Sequence, residues 1–286
     1  MRLEITEEYA DFYCESLLAG RYYYRDPFKP YVHPLNSPQG WPLSLRSPHD
    51  HLHHKGLMYA LRASDLNFWE EYATTAQEKV GRQRHDSFGA VISEGKQIGF
   101  HERLTWVGED GTLETFVEHR SISCRFNDTG PACFQWEWST ELIARRDVIL
   151  TLSQWSIKNH RGKLINYHGL GLRLRRDFGC TGGNQLLLDG TAVPFNQALG
   201  LTPREAVFVG SLDDTRPIRK AGVKICPSGS HGLFVLESPF AFISLGPTVL
   251  GSLRLKNGDH LKNSYSISVF DGEPLENTPT AHSEFA

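Results

Sequence analysis

Alternation of apolar and polar residues over long stretches is the feature that most limits what this 286-residue chain can fold into. In Phe134–Leu142 aromatic and polar residues alternate, and Phe100, Leu104 and Trp106 share one face of another such run. Side chains alternate between the two faces of a β-strand, whereas a helix repeats every 3.6 residues. The pattern therefore predicts strands that each have one buried and one polar face.

Turn-forming residues separate these runs. Asp110-Gly111 lies between the runs Gly99–Val107 and Leu113–Phe126, which predicts a β-hairpin. Further runs lie at Val148–Ile157, Leu164–Leu174, Ala206–Val209, Gly232–Glu237, Ala241–Leu245, Val249–Leu255 and Ser264–Phe270. The succession predicts an all-β fold, a single large antiparallel β-sandwich of about fifteen strands, as in a mutarotase-like supersandwich or a jelly roll.

Helical periodicity is confined to two short segments, Glu8–Leu18 and Asn67–Glu71, and neither could form a layer of an α/β fold. The chain shows no fixed-period repeat and no linker long enough to separate two domains. We therefore expect one domain over residues 1–270, followed by a polar, proline-containing tail over residues 271–286.

Charge and composition limit the partners and the compartment. The 30 Lys and Arg residues against 33 Asp and Glu give a net charge of −3, without the basic surplus that nucleic-acid binding needs. We expect no membrane contact, because no apolar run is long enough to span one, and acidic residues near the start argue against a signal peptide. The five cysteines are odd in number and form no CxxC, which favours free thiols. These features predict a soluble, cytoplasmic protein.

A histidine cluster is the strongest functional signal. His49, His51, His53 and His54 lie within six residues. In an extended segment His49, His51 and His53 would project to one side and could bind a divalent metal such as Mn, Zn or Mg, with Asp50 fixing the tautomer of a ligand. His54 would point the other way. A metal-free role in acid–base chemistry or substrate binding and a purely structural polar corner are the alternatives.

Other residues have side chains suited to sugars. Trp41 and Trp69 offer flat apolar surfaces for the C–H faces of a sugar ring, and Arg173 offers a bidentate fork for oxygen atoms. Pro34 holds His33 extended, and glycines beside His168 let a ligand approach. We predict three catalytic residues: His51, His53 and His168. We predict five substrate-binding residues: His33, Trp41, Lys55, Trp69 and Arg173.

Five glutamates also lie on predicted strands, and alternation leads us to expect most of them in solvent: Glu102, Glu114, Glu118, Glu137 and Glu141. In the triplet Glu118-His119-Arg120, Glu118 and His119 must face opposite ways. Only one of these two side chains can therefore face a site.

Four stretches resemble a bacterial family called "PmoA" or "methane oxygenase PmoA". They are Tyr31–Gly40, Asp50–Leu57, Asn67–Trp69 and Gly169–Arg173. The match follows the chain in order over most of its length, although Leu52 stands where the family usually has proline. The resemblance implies a soluble β-sandwich that is encoded beside nicotinamide-dependent sugar dehydrogenases. It therefore implies a small-molecule sugar or glycoside as ligand and a functional link to such a dehydrogenase.

The family's name is a poor guide to activity, because a methane oxygenase subunit of that name spans a membrane and this chain has no spanning segment. Our first hypothesis is an enzyme of sugar or glycoside catabolism. It would be a lyase, hydratase or glycoside-cleaving enzyme acting on 3-keto-glycosides, in which a histidine removes a proton beside the ketone. No evident pair of catalytic carboxylates supports ordinary glycoside hydrolysis.

Two other functions are kept as alternatives. A cupin-like non-haem metal oxygenase would need two histidines and one carboxylate around the metal. A non-catalytic carbohydrate-binding protein would need only aromatic walls. A homo-oligomer is compatible with each of these hypotheses.

Overall fold

The structure is a computed structural model that describes residues 1–179, 183–213 and 215–273. Within these ranges the chain forms 23 strands, one 3-10 turn at Arg176–Gly179 and one α-helix, α1 (Phe195–Ala198), which confirms the all-β prediction. The strands are β1 (Arg2–Ile5), β2 (Tyr9–Cys14), β3 (Leu17–Tyr23), β4 (Tyr31–Leu35), β5 (Leu57–Ala60), β6 (Arg62–Ala63), β7 (Leu66–Asn67), β8 (Lys79–Glu94), β9 (Gln97–Gly108), β10 (Glu114–Asn127), β11 (Cys133–Ala144), β12 (Val148–Leu150), β13 (Ile157–Lys158), β14 (Leu164–Ile165), β15 (Gly169–Arg173), β16 (Gln185–Leu188), β17 (Thr191–Ala192), β18 (Ala206–Leu212), β19 (Arg219–Pro227), β20 (Gly232–Leu236), β21 (Phe242–Gly246), β22 (Leu253–Leu255) and β23 (His260–Asp271).

Most strands belong to two sheets. The small sheet has eight strands in the order β1-β2-β3-β4-β5-β15-β21-β20. The large sheet has thirteen strands in the order β17-β16-β18-β19-β23-β11-β10-β9-β8-β7-β6-β12-β22. Neighbouring strands run antiparallel in the described residues, apart from the parallel pair β7 and β8. The predicted hairpin is confirmed, because β9 and β10 pair antiparallel across the turn at Asp110-Gly111.

The main hydrophobic core lies between the two sheets. The ring centroids of Phe12 and Trp136 are 4.8 Å apart, and those of Tyr22 and Trp138 are 6.1 Å apart. In β11 buried and half-buried residues alternate over most of the strand, as the sequence predicts. Because one face of this strand is aromatic and the other polar, a shift of one residue would expose the tryptophans, which fixes its register.

The strand count is higher than about fifteen because several paired segments span only two or three residues, too short to show alternation in a sequence. In the run Val148–Ile157, for example, the long strand expected from the sequence is reduced to β12. The run Leu164–Leu174 is likewise divided into β14 and β15.

The helix expected at Glu8–Leu18 is wrong. This segment forms the β2–β3 hairpin, in which Cys14 pairs with Leu17 and Glu15 adopts a φ of 53° in the turn. Its core residues Ala10 and Phe12 lie on one face of β2, so packing on the core overrides the helical pattern. The second helix, at Asn67–Glu71, is also wrong, because the Asn67 side chain accepts hydrogen bonds from the next backbone N–H groups and forms a turn.

Two of the five strand glutamates, Glu102 and Glu118, are buried, whereas the other three are at least partly exposed. Glu118 accepts hydrogen bonds of 2.7 and 2.8 Å from the Arg120 guanidinium and one of 2.7 Å from Trp106 Nε1. Glu102 accepts a hydrogen bond of 2.5 Å from the Tyr22 hydroxyl, which also accepts one from Arg120 at 2.9 Å. Burial is tolerated here because each carboxylate has charged or hydroxyl partners.

The remaining whole-chain predictions concern thiols, ends and membranes. Four cysteines in the described ranges are free, as expected: Cys14, Cys124, Cys133 and Cys226. Cys180 and residues 274–286 of the expected tail lie outside the described residues, and the division into residues 1–270 and 271–286 stays a prediction. In the part of the chain that the structure describes, no helix has the length and apolar character needed to cross a membrane.

We expect Glu118→Ala to lower the free energy of unfolding by about 3–5 kcal/mol, because it leaves the buried Arg120 guanidinium without its carboxylate. Urea denaturation at pH 7 measures the change. Glu114→Ala on the same strand is the control, since Glu114 is 49% exposed and lies 3.8 Å from Arg145, a surface pair worth about 0–1 kcal/mol. Equal losses in both variants would contradict a structural role for the buried pair.

Candidate functional site

The small sheet brings several of the predicted site residues together at one end of its strands, here called the edge. The loop of residues 36–56 connects β4 to β5, and its last residues lie where β5 begins at Leu57. In the antiparallel small sheet, Leu172 near the end of β15 pairs both with Leu57 and with Ile243 near the start of β21. The histidine cluster, Arg173 and Phe242 therefore lie together at this edge.

The histidine segment is not extended, contrary to expectation. The N–H of His51 donates to the Pro48 carbonyl at 3.0 Å, and the N–H of His54 donates to the His51 carbonyl at 3.0 Å. These two successive turns remove the alternation of a strand, so His54 points toward the cluster and not away from it. The ring centroids are 5.7 Å apart for His51 and His53, 4.7 Å for His51 and His54, and 4.6 Å for His53 and His54.

Asp50 connects the cluster to the small sheet. Its Oδ2 atom accepts hydrogen bonds from His51 Nδ1 at 2.9 Å and from Arg173 Nη2 at 2.7 Å, and Oδ1 accepts one from Arg176 at 3.2 Å. Burial raises the pKa of Asp50, but the hydrogen bonds from Arg173 and His51 outweigh it and hold that pKa well below its usual range. Asp50 is therefore an acceptor at neutral pH, so neutral His51 has its proton on Nδ1 and its lone pair on Nε2.

The other two rings of the cluster are buried. His53 is 6% exposed and His54 is 4% exposed. Burial lowers the pKa of His53 to about 2, with a further contribution from the charge of Lys29, and it lowers the pKa of His54 well below its usual value. Arg173 Nη1 lies 3.1 Å from His54 Nδ1, which assigns the proton of neutral His54 to Nε2. Both side chains are neutral at pH 7.

The glycines before Arg173 have a packing function. Leu170 and Leu172 face the core between the sheets, so the residues between them face outward. A Cβ atom on Gly171 would lie 2.6 Å from the Trp69 ring, so glycine at this position lets the indole approach the strand closely. Arg173 follows on the same outer face, where its guanidinium lies 4.2 Å from the ring centroid of Phe240.

His168 and Trp69 lie inside the structure and not at an accessible surface. Both are fully buried, with their ring centroids 5.5 Å apart. Burial lowers the pKa of His168 to about 3, and among the described residues neither ring nitrogen has a partner in hydrogen-bond geometry. The structure therefore places this predicted catalytic residue and this predicted substrate-binding residue beneath the site.

His33 and Lys55 lie at the same edge but have other partners. His33 Nδ1 lies 2.9 Å from the Ser44 hydroxyl, and burial lowers the pKa of His33 to about 4. Lys55 Nζ lies 3.4 Å from carboxylate oxygens of both Asp26 and Glu71. These contacts join neither side chain directly to the histidine rings.

Trp41 lies apart from the cluster. It lines an open groove of about 570 Å³ together with Ile218 and Arg219, where the 36–56 loop crosses the large sheet. Another groove of about 520 Å³ lies on the outer face of the large sheet, lined by exposed charged residues such as Arg103 and Lys262. Neither groove contains a residue of the histidine cluster.

The three predicted metal ligands do not converge. His49 Nδ1 lies 3.1 Å from Arg176, whereas His53 lies deeper, beside the positive charge of Lys29. Within the described ranges, no group of three or more His, Cys, Asp or Glu side chains is arranged to hold a metal ion. The set His49, His51 and His53 therefore does not fit a divalent metal, although metal binding itself stays a prediction to be measured.

Several residues at the edge escaped the sequence analysis. Phe240 contacts the His51 ring at 4.5 Å between centroids, and Tyr72 contacts His53 at 6.0 Å. Glu70 is buried and accepts a hydrogen bond from the Tyr167 hydroxyl, and burial raises its pKa. Phe240 had a usable signal, because alternation places it on the same face as Phe242. No pattern in the sequence indicates that Glu70 and Tyr72, which lie in a loop, belong to the site.

Comparison of sequences identifies a family but no activity. A family model described as "Family of unknown function (DUF6807)" matches residues 10–283. The resemblance to the PmoA family is therefore wrong, since the matching model is that of DUF6807 and nothing in the matches links the chain to a methane oxygenase. No curated protein matches the chain.

The solved structures similar to this chain include two at low identity. One is described as a galactose mutarotase related enzyme from Lactobacillus acidophilus, with 8% identity, a TM-score of 0.37, and coverage of 96% of this chain and 99% of that one. The other is described as a GalM/aldose epimerase homologue from C. elegans, with 11% identity, a TM-score of 0.37, and coverage of 93% and 96%. At these values the likeness transfers no activity.

We expect the protein to lose stability steeply as the pH falls from about 6.5 to about 4.5. Burial lowers the folded-state pKa of four histidines below the ordinary 6.5: His33, His53, His54 and His168. In this pH window the unfolded chain binds more protons than the folded one, and each such histidine adds a slope of about 1.4 kcal/mol per pH unit.

Urea denaturation between pH 7 and pH 4.5 measures this slope. His168→Leu removes one of the four groups and should reduce the slope by about 1.4 kcal/mol per pH unit. The matched control is His119→Ala on the exposed outer face of the large sheet, which should leave the slope unchanged. An unaltered slope in His168→Leu would show that this residue titrates normally in the folded protein.

Chelation with EDTA should leave the melting temperature and activity of untagged protein unchanged, because the candidate ligands point apart and cations surround them. Metal analysis by mass spectrometry, before and after chelation, is the measurement. A divalent ion bound one to one, and lost in His53→Ala, would contradict this expectation and restore the metal hypothesis.

Proposed function

The chain belongs to the DUF6807 family of unknown function, and we propose that its site removes a proton beside the ketone of an oxidised glycoside. The observation that carries the proposal is the arrangement of Arg173, Asp50 and His51. This arrangement orients one accessible imidazole with its Nε2 lone pair free.

The pair Asp50–His51 has the geometry of a general base. Hydrogen bonding to an ionised carboxylate fixes the tautomer and orientation of His51 and stabilises the imidazolium that forms when Nε2 accepts a proton. The His51 side chain is 33% exposed, so that a substrate can reach it. His53 and His54 are buried and neutral, and we assign them the role of packing against His51.

A ketone substrate follows from acidity. An ordinary sugar C–H group is far too weak an acid for imidazole, whereas a C–H group next to a carbonyl can lose its proton with electrostatic help. Arg176 is 50% exposed and lies beside Asp50, so its guanidinium can bind the oxygen that becomes negative. Preorganised positive charge of this kind stabilises an enediolate in the transition state.

The reaction balances without an oxidant. His51 takes the proton from the carbon next to the ketone, and the electron pair of that C–H bond forms an enediolate. That electron pair then forms a carbon–carbon double bond to the anomeric carbon as the bond between the anomeric carbon and the glycosidic oxygen breaks. The proton on His51 passes to the leaving oxygen, so that the products are an unsaturated keto sugar and a free alcohol.

The substrate must come from an oxidation. A sugar ketone is made from a sugar alcohol group by removal of a hydride, which is the chemistry of a nicotinamide-dependent dehydrogenase. This protein would act after such an enzyme. A conventional glycosidase would need two positioned carboxylates, and the carboxylates Asp50, Asp26 and Glu71 at this edge are each paired with an arginine or a lysine.

The test supplies an aryl glucoside to the protein either unoxidised or converted to its 3-keto form by a 3-dehydrogenase, and follows release of the aglycone. We expect release from the keto form alone. In His51→Ala, kcat should fall by about 10²–10⁴-fold, the usual contribution of a general base. Deuterium uptake from D₂O at the carbon next to the ketone reports the proton removal directly.

The matched control is His119→Ala, which should release aglycone at the wild-type rate. Equal release from the oxidised and unoxidised glucosides would contradict the proposal and support ordinary hydrolysis. Binding without release or deuterium uptake would instead support a non-catalytic carbohydrate-binding protein.

A further inference from the structure

Two aromatic side chains near the site are largely exposed. Tyr72 is 53% exposed and Trp155 is 58% exposed, and the other exposed large hydrophobic residues of the described ranges are aliphatic. Aromatic rings of this size contribute 150–250 Å² of contact area when they are buried, so folding alone favours their burial. An exposed apolar patch beside a polar site is typical of a ligand-binding surface.

Hydrogen bonds hold the two loops that carry these rings together. Gln154 Nε2 donates to the Thr74 carbonyl at 2.6 Å, which joins the loop after β12 to the loop after β7. The N–H of Trp155 donates to Ser153 Oγ at 3.1 Å, and that hydroxyl also lies 3.5 Å from the buried Glu70 carboxylate. The two loops that carry the exposed rings are therefore joined to each other.

One of the exposed rings contacts the histidine cluster. The Tyr72 ring lies 6.0 Å from His53, which in turn lies 5.7 Å from His51. Leu52, between these two histidines in sequence, is 62% exposed. The loop segments 72–77 and 151–157, which carry the two rings, contain no charged residue. We call the exposed side chains of Tyr72, Trp155 and Leu52, which these two joined loops and the histidine segment carry, the aromatic rim.

We propose that the aromatic rim binds the leaving group of the substrate, and that this leaving group is an aromatic or otherwise apolar aglycone. The inference rests on the proposed function. In that reaction the sugar ring lies against His51 with its acidic C–H at Nε2, so the glycosidic substituent extends outward from the histidines. An uncharged surface that presents an indole and a phenol ring favours stacking with an aromatic group.

The test compares the 3-keto forms of benzyl and methyl glucosides of the same anomeric configuration. The two leaving alcohols have similar acidity, so a difference in kcat/KM reports binding of the ring and not departure of the leaving group. We expect the wild type to prefer the benzyl substrate by about tenfold, as a well-placed aromatic contact allows. In Trp155→Ala and Tyr72→Ala the preference should fall to about twofold or less, with the methyl substrate unaffected.

Ile218→Ala is the matched control, because Ile218 is 76% exposed but lines the separate groove with Trp41. It should keep the wild-type preference. Equal kcat/KM values for the benzyl and methyl substrates in the wild type would overturn the role of the rim. A benzyl preference that persists in Trp155→Ala would overturn it as well.

Calorimetric binding of unoxidised benzyl glucoside separates this inference from the proposed reaction. Binding that is weakened about tenfold in Trp155→Ala supports the rim even if no turnover is found. Equal binding of benzyl and methyl glucosides by the wild type overturns the rim even if the keto substrates are cleaved.

Discussion

The ion pair between Arg173 and Asp50 is the contact on which the site depends. Arg173 is 1% exposed, and a buried guanidinium is stable only with an anion and with acceptors for its N–H groups. Asp50 supplies the anion, and His54 Nδ1 supplies a second acceptor. Since Asp50 lies in the turns of the histidine segment and Arg173 ends β15, this pair joins the histidine segment to the sheet, alongside the backbone hydrogen bonds between Leu45 and Arg173 and between Arg173 and Gly56. The orientation of His51 follows from it.

Packing beneath the site makes this contact rigid. The Trp69 indole lies on Gly171, and His168 and Tyr167 contact its ring at centroid distances of 5.5 and 5.3 Å. These residues form a second apolar cluster on the outer face of the small sheet, away from the core between the sheets. Arg173 lies beside this cluster and not in open solvent, which strengthens its electrostatic contacts. The buried tryptophan therefore acts through rigidity and not as a sugar-binding wall.

Much of the fold could be predicted from sequence because alternation reports directly on which side of a strand is buried. The aromatic face of β11 and the β9–β10 hairpin follow from that rule. The rule fails where the backbone turns, and the histidine segment forms two turns that its sequence does not reveal. Clustering and the neighbouring Asp50 identified the segment as a candidate site. The sequence does not reveal which histidine rings converge or that His168 is buried, because both depend on contacts with residues distant in sequence.

The charges at this edge fit a reaction that develops negative charge. Four cations lie there, since Lys29 and Lys55 contact Glu71, and Arg173 and Arg176 contact Asp50. Asp26 also contacts Lys55. Transfer of a proton from a neutral substrate to His51 adds one positive charge to the protein and one negative charge to the substrate. The net charge of the complex is unchanged, and the half-exposed Arg176 guanidinium beside Asp50 can stabilise the new anion.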